Sequence, residues 1–557
     1  MAIPRPDIGL KNLIRYRQIG TVLIKYGFGE FVYRMNLISP FRPGAKKPSE
    51  KALGQSTPVR VRLAMQELGP TFVKLGQVLS TRPFLLPYDY IEELSKLQGQ
   101  VDPMPWPVAE AVIKKELGQS IEEHFAEFDR TAIASASLSE VHRAKLKDGT
   151  PVVVKIQREG IKKIIDADIR ILNDIADMLE KNVPESQQFE PKRIVEEFAR
   201  STYKELNFIN EARNTEIFAN NFMDEPGIKI PKIFWELTTS KVMTMEEIVG
   251  IKISRIDELK ARGCDAKVIC QNGSRLFLKM IFEDGFFHAD PHPGNLFVCD
   301  GGVIAPVDYG MMGTLSETQM DELSEIVMAI MGKDVRAVIN VLQNAGVLPD
   351  DCNIRSLEQE LSELLVRYSG QELARINLRH ASEEFLGLIH QFKIRFQPEF
   401  MLLGKALVTY EEVARMLDPG FNFFAEFMPY MKKLAKRKYH PKKIARDLLG
   451  ILDEIRWFLV ESPREWRAIT TKLRKGELQI QFQIKGLDVF IREMDRSSNR
   501  LSLALLVAAL IVGSSIIATM QKGYTVFNIP LLGLIGYITA AILGILLVIS
   551  ILRSTKM

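Results

Sequence analysis

Cysteine is scarce in this chain and net charge is nearly absent. Cys264, Cys270, Cys299 and Cys352 are its four cysteines, and no two have C-x-x-C spacing. That argues against disulfides or metal ligands and for reduced, buried small residues of a cytosolic domain. A formal net charge of +4 is too small to point to nucleic acid, so no nucleic-acid partner is expected. The N-terminus lacks the uninterrupted apolar core of a signal peptide. What is present describes a folded protein, with 46% hydrophobic and 25% charged residues over 557 positions. Length alone suggests three or four domains.

One stretch organises the rest. Residues 286–310 read FFHADPHPGNLFVCDGGVIAPVDYG. Asp300-Gly301-Gly302 between Leu296-Phe297-Val298 and Val303-Ile304 predicts a β-hairpin, because such a turn needs positive φ. The hairpin brings its outer ends together, so Asn295 and Asp308 are expected side by side. Paired oxygen ligands with Asp290 just upstream suit Mg²⁺ held on a nucleoside triphosphate. Two other readings stand beside this one: a metallohydrolase cluster of His288, Asp290 and His292, or plain loop structure. The order H-x-D-x-x-x-x-N, hairpin, D-[FY]-G is that of the catalytic and magnesium loops of kinase-like enzymes.

Upstream, the first residues mix Leu13, Ile14, Ile19, Val22, Leu23 and Ile24 with Lys11, Arg15, Arg17 and Lys25. This suits a basic amphipathic helix, lying either on a membrane surface or against its own domain. A Pro, Gly and Lys-rich linker follows at 39–49. From Pro58 the pattern is helical, with a new turn at Gly69-Pro70, and it projects Lys74 and Gln77 from one face. The run Ile133, Ala134, Ser135, Ala136, Ser137, Leu138, Ser139, Glu140, Val141 places small residues where backbone N–H groups can approach phosphates. Val141–Leu146 and Val152–Ile156 read as strands around a Lys147-Asp148-Gly149-Thr150 turn. Val152-Val153-Val154-Lys155 has the form of a kinase strand whose lysine reaches the α- and β-phosphates. Residues 161–222 are helix-rich, and Glu205 and Glu211, six apart, are expected on different sides of a helix. One glutamate must neutralise Lys155 for a fixed pose. Lys241–Glu246 reads as a strand leading to Val249-Gly250, where such a chain crosses between lobes and its backbone meets adenine.

Downstream, residues 254–285 are helical. After Gly310 the pattern returns directly to a helix that Thr314 or Ser316 can cap. There is no long activation segment and no Ala-Pro-Glu anchor, which makes a peptide substrate doubtful. From Val335 to Leu487 the chain reads as nearly all helix, and its basic run 432–438 is either a solvated face or a contact for anionic lipid. Leu501–Met520 and Leu531–Leu552 carry no charge and are long enough to span a bilayer. Arg492, Arg496 and Arg500 before them, with Arg553 and Lys556 after, put both ends in the cytoplasm.

With these pieces in place, the chain resembles the UbiB family of atypical kinase-like proteins associated with ubiquinone biosynthesis. The motifs that carry the likeness are KLGQ at Lys74–Gln77, ASASLSEVH at Ala134–His142 and the FHADPHPGN loop. The resemblance implies an α+β, bilobal protein-kinase-like fold with a helical N-terminal extension, extra C-terminal helices and a transmembrane hairpin. It implies ATP and Mg²⁺ as cofactors and Asp290, Lys155, Glu211, Lys74 and Glu205 as catalytic residues, with Glu211 the helix partner of Lys155 and Lys74 paired with Glu205. Asn295 and Asp308 would hold the metal, and residues from Ile133 to Val141, with Lys155 and Glu246, would bind the nucleotide. Two positions depart from the family pattern: Asn207 replaces the acid of an E-x-D motif, and Ser139-Glu140 replaces Gly-Gln. A carboxylate at position 140 would repel phosphate unless it points outward or meets the metal.

The expected domains are an arm and linker (1–50), a helical extension (51–130), an N-lobe (131–250), a C-lobe (251–415), a helical region (416–496) and two membrane helices (497–557). The expected function is a Mg²⁺-dependent ATPase at a bacterial-type inner membrane, multi-pass, with its catalytic domain in the cytoplasm. It would support isoprenoid quinone synthesis or lipid precursor handling. Expected partners are membrane lipids, quinone precursors and quinone-biosynthesis enzymes. The alternatives are a protein or small-molecule kinase, or a nucleotide-binding scaffold.

Overall fold

A computed structural model of the chain describes residues 10–34, 54–80, 86, 88–97, 101–182, 190–369, 378–422, 425–430, 474, 487–519, 525–526 and 529–554. They divide into two units, Met1–His440 and Pro441–Met557. The expected linker 39–49 and the basic run 432–438 lie outside the described residues.

Helix α1 (Leu10–Lys25) is docked on its own domain. Its Tyr16, Ile19 and Val22 are buried against α2 (Thr57–Leu68) and α3 (Pro70–Ser80). Arg15 is turned inward: its guanidinium meets both oxygens of the fully buried Asp168 at 2.7 and 2.9 Å and donates to Leu68 O at 2.8 Å. The break between α2 and α3 falls at Gly69-Pro70 as expected, with Gly69 at φ +98°. Helix α4 (Tyr88–Ser95) then packs against α3.

After α5 (Trp106–Leu117) comes an antiparallel sheet of β1 (Phe125–Phe128), β2 (Ala134–Ser135), β3 (Ser139–Leu146) and β4 (Pro151–Gln157). Helices α6 (Ile161–Asn182), α7 (Pro191–Glu205) and α8 (Phe208–Asn221) follow, and β5 (Val242–Glu246) completes the sheet beside β4. Successive side chains on a strand face opposite sides. Val152, Val154 and Ile156 therefore pack under Ala109, Val112 and Ile113 of α5. Val153 packs with Phe208 and Ala212 of α8 on the other side. A strand covered on both faces reads as a run of valines instead of an alternation.

In the next part, β6 (Ile251–Lys252) precedes α9 (Ala266–Phe282), whose start is capped by Asp265 accepting from Lys267 N at 2.9 Å. Strands β7 (Phe286–His288), β8 (Leu296–Val298) and β9 (Ile304–Pro306) follow, and β8 pairs with both β6 and β9. The direct return to helix after Gly310 is corrected. Met312–Thr314 first forms β10, paired with β7 so that Gly313 opposes Phe287. Helix α10 (Glu317–Met331) then starts at Ser316, whose hydroxyl accepts from Gln319 N at 3.2 Å. Farther on, α11 (Pro398–Leu417) shares one core with α9. There Tyr410 stacks on Phe277 at 4.8 Å and shares a 2.7 Å hydrogen bond with Ser274.

Among the described residues, the second unit holds two helices, α12 (Leu487–Thr519) and α13 (Leu531–Ser554), packed on each other. Ser515 and Tyr537 hydroxyls join them at 2.7 Å. Two membrane spans, Leu501–Met520 and Leu531–Leu552, were expected. Among the described residues, only Ser497–Thr519 of α12 is apolar over a length that crosses a membrane, while the apolar part of α13 is the shorter Leu534–Val548.

Candidate functional site

Lys155 leaves β4 on the face that α8 covers. Its ammonium lies 2.6 and 2.7 Å from the two carboxylate oxygens of Glu211 and 5.4 Å from the Phe208 ring. Glu211 stands in the first turn of α8, and Asn207 starts that turn by accepting from Ile209 N at 3.2 Å. This accounts for the asparagine in the E-x-D position: it serves as a helix cap, which an asparagine does as well as an aspartate. It also corrects the expected placing of Glu205 and Glu211. They belong to two helices, the end of α7 and the start of α8, and the break at Leu206-Asn207 lets both face one centre. Glu205 pairs there with Lys74, which is only 5% exposed and so is no solvated surface lysine. The neighbouring Gln77 donates to Leu97 O at 3.1 Å.

Asp308 closes the group. A Cβ on Gly310 would lie 3.2 Å from Asp308 Oδ1 and about as far as van der Waals contact from Glu205 and Glu211. Three carboxylates thus surround two ammonium groups. Burial, with Asp308 nearby, pushes Glu211 up to about 7 against the pull of Lys155. Burial pulls on Lys155 in the opposite sense, but Glu211 and Asp308 outweigh it and hold the ammonium charged above its usual range. At Asp308 burial is outweighed by the Lys155 charge and the Gly310 N–H, donated at 3.0 Å, so the carboxylate stays below its usual range.

The hairpin forms as expected, with Leu296 opposite Pro306, and Val307 N donates to Asn295 O at 3.0 Å. Asn295 and Asp308 consequently sit at neighbouring strand ends. An amide and an ionised carboxylate are hard oxygen donors, which fits Mg²⁺. The metallohydrolase alternative does not assemble. His288 is buried and its Nδ1 accepts from Asp290 N at 3.2 Å, whereas the exposed His292 caps its own turn at Gly294 N, 3.1 Å away. Among the described residues no three His, Cys, Asp or Glu groups gather as a metal site. Asp290 is paired instead with Lys405 of α11, at 3.2 Å. Sequence reasoning missed that lysine, although it is the single charge between Glu399 and Glu411.

The Ala- and Ser-rich run is a two-stranded lip. Ala134 opposes Val141 and Ser135 opposes Glu140, while Ala136 N donates to Ser139 O at 2.8 Å to close the turn. Ile133, Ala134 and Ala136 are exposed, whereas Leu138 and Ser139 are buried. Glu140 is turned away from Lys155. It opposes Ile156 on the α5 side of the sheet, where it accepts from Met104 N at 2.6 Å and meets His142 Nε2 at 3.0 Å. The pleat alone decides this, because Val141 is the residue opposite Lys155. Arg158, also missed, braces the lip by donating to Ala136 O at 2.9 Å, Ser135 Oγ at 2.6 Å and Asp102 O at 2.7 Å. Its place in the turn three residues after Lys155 was the available signal. Glu246 ends β5 and gives its side chain to Lys229 at 2.7 Å.

Family models match three parts of the chain: an ABC1 atypical kinase-like domain over 96–342, a UbiB helical domain over 361–422 and an ABC1/UbiB kinase-like C-terminal domain over 485–553. A Clostridium pasteurianum protein described as an uncharacterized protein in the hydrogenase 1 5′ region is 33% identical over 546 residues, covering 98% of this chain and 99% of its own. A Xylella fastidiosa protein named "Probable protein kinase UbiB" is 32% identical, covering 95% and 97%. Its namesake from Xanthomonas campestris is 30% identical, covering 94% and 96%. A Mycobacterium tuberculosis protein solved in complex with erythromycin is 22% identical with a TM-score of 0.46, covering 64% of this chain and 91% of that one.

Proposed function

The chain belongs to the ABC1/UbiB atypical kinase-like family, and from that premise we propose that it is a membrane-anchored, Mg²⁺-dependent ATPase. The observation that carries this reading is the convergence of Lys155–Glu211, Lys74–Glu205 and Asp308 around Gly310. In this reading Lys155 binds the α- and β-phosphates and Glu211 fixes its pose. The lip from Ile133 to Val141 covers the phosphates, and the backbone after Glu246 meets adenine. Asn295 and Asp308 hold Mg²⁺, which neutralises phosphate charge when bound. Asp290 accepts the proton of the attacking oxygen. Lys74 closes the site from the helical extension by pairing with Glu205.

Hydrolysis is favoured over transfer to a peptide because only Met311–Ser316 separate Gly310 from α10, too short a piece to form a peptide platform. Helix α12 supplies the membrane anchor, with α13 as its return helix and both ends of the pair in the cytoplasm of a bacterial-type cell. The domain boundaries expected from the sequence are kept in this proposal. The relatives named UbiB, and the family's association with ubiquinone, support a role in the handling of isoprenoid quinones or their precursors, with lipids and quinone-biosynthesis enzymes as proposed partners. A second reading, a kinase, is favoured by Asp290 in the catalytic-loop position.

The test follows γ-labelled ATP with the purified full-length protein and Mg²⁺, with and without anionic liposomes. Mainly free phosphate, increased by liposomes, supports the ATPase. Label on a protein or lipid replaces it with the kinase, and binding with neither leaves a nucleotide-binding scaffold.

A further inference from the structure

The stretch from Phe286 to Gly310 contains no lysine and no arginine. A phosphoryl group in transfer spreads negative charge over its three equatorial oxygens, and catalysis there is mostly positioning and electrostatics. Lys155 and Lys74 are each engaged by a glutamate. At Asp290, where the attacking oxygen would be deprotonated, the cation present is Lys405, 3.2 Å from Oδ1. We infer that Lys405 is a catalytic residue of this site, contacting the γ-phosphoryl group and delivered by a helix that lies outside the matched kinase-like domain at 96–342. The inference rests on the nucleotide reading above.

Two independent features support it. The first is rigidity. Lys405 lies between Leu403 and Ala406, both buried in the core that α11 shares with α9, and Tyr410 is locked onto Phe277 and Ser274 one turn later. A side chain on so firmly seated a helix is well placed to hold a reacting group. The second is cost without structural return. Lys405 interrupts an otherwise uncharged run from Phe400 to Tyr410. Both it and Asp290 are 35% exposed, and an ion pair that open to water adds little stability. The same exposure leaves the pair accessible to a ligand.

The chemistry balances as follows for hydrolysis. A water oxygen forms the new bond to the γ-phosphorus, and the bond to the β–γ bridging oxygen breaks with its electron pair remaining on ADP. The proton of the water passes to the Asp290 carboxylate and then to solvent. Lys405 keeps its proton throughout. It shifts from Asp290 Oδ1 to the phosphoryl oxygens, which both stabilises their charge and frees the carboxylate to act as a base.

The experiment uses the full chain in detergent, with the variants Lys405→Met and Lys405→Arg. Affinities for ADP and for a non-hydrolysable ATP analogue are measured beside kcat and KM for phosphate release. Lys405→Met is expected to bind ADP like the wild type, to lose about tenfold in affinity for the triphosphate, the scale of one charge-assisted contact, and to lose more than that in kcat. Lys405→Arg restores most of both. Equal losses for ADP and the triphosphate, or no loss in either affinity or kcat, overturn the role of Lys405 while leaving the nucleotide site standing. No nucleotide binding by the wild type overturns the proposed function and this inference together.

Discussion

Lys155 and Glu211 show how a pair can be chosen by chemistry and placed by geometry. The valine strand identified the lysine, and the resemblance, not the spacing, assigned Glu211 to Lys155 and Glu205 to Lys74. That pairing is made by the break at Leu206-Asn207, which turns one glutamate to each lysine. Asn207→Ala removes that break's cap and should cost about 1 kcal/mol, seen as a lower Tm, whereas Asn207→Asp should be close to neutral. Glu140 is a position that the sequence left open between repelling phosphate and pointing away from it. Its strand register decides: it is buried on the α5 face of the sheet, holding Met104 N and His142. Glu140→Ala leaves those groups unpaired and should destabilise the fold by about 1–3 kcal/mol, measured by urea unfolding. Affinity for Mg-ATP in the folded fraction should change little. Lys405 was not legible because a contact 115 positions away from Asp290 leaves no local pattern.

Elements were more legible than contacts, for reasons that differ from one to the next. Turn chemistry fixed the hairpins, since Gly149 and Gly301 sit at positive φ as their turns require. The strand Met312–Thr314 was missed because three residues cannot display a period. The glycine of the KLGQ motif is a packing residue. A Cβ on Gly76 would lie 2.2 Å from Leu97 Cδ1 and 2.8 Å from Met65 Sδ, so helices α2 and α3 and the segment after α4 meet through it. Gly76→Ala should therefore overpack this interface and cost about 1–3 kcal/mol, lowering Tm even without nucleotide. Unchanged Tm in that variant would contradict this account of the motif.

For the whole molecule, the C-terminal apolar segment was readable from composition alone, whereas the α+β, bilobal fold came from the resemblance carried by the motifs. The fate of α1 was not readable, because a basic amphipathic helix suits a membrane surface and a protein surface equally well. The burial of Tyr16, Ile19 and Val22 against the domain, together with the Arg15–Asp168 pair, distinguishes them. Helix α12 should keep the full chain in the membrane fraction after high-salt and alkaline carbonate washes, and release into the wash would contradict the anchor. Ligand linkage gives a second expectation at this scale. Mg-ATP at a hundred times its Kd should stabilise the first unit by about 2.7 kcal/mol, raising its Tm.

The central claim is that Lys155, Glu211 and Asp308 form a metal-dependent nucleotide site, and calorimetric titration of ATP into the full-length protein tests it most directly. Wild type, Lys155→Ala and Asp308→Asn would each be titrated with Mg²⁺ and with EDTA. The account predicts saturable one-site binding by the wild type that weakens at least about tenfold when Mg²⁺ is removed, as expected when a charged contact is lost. Asp308→Asn should bind weakly and respond little to the metal, and Lys155→Ala should bind weakly in both conditions. Equal affinity for all three proteins, with or without Mg²⁺, would contradict the claim.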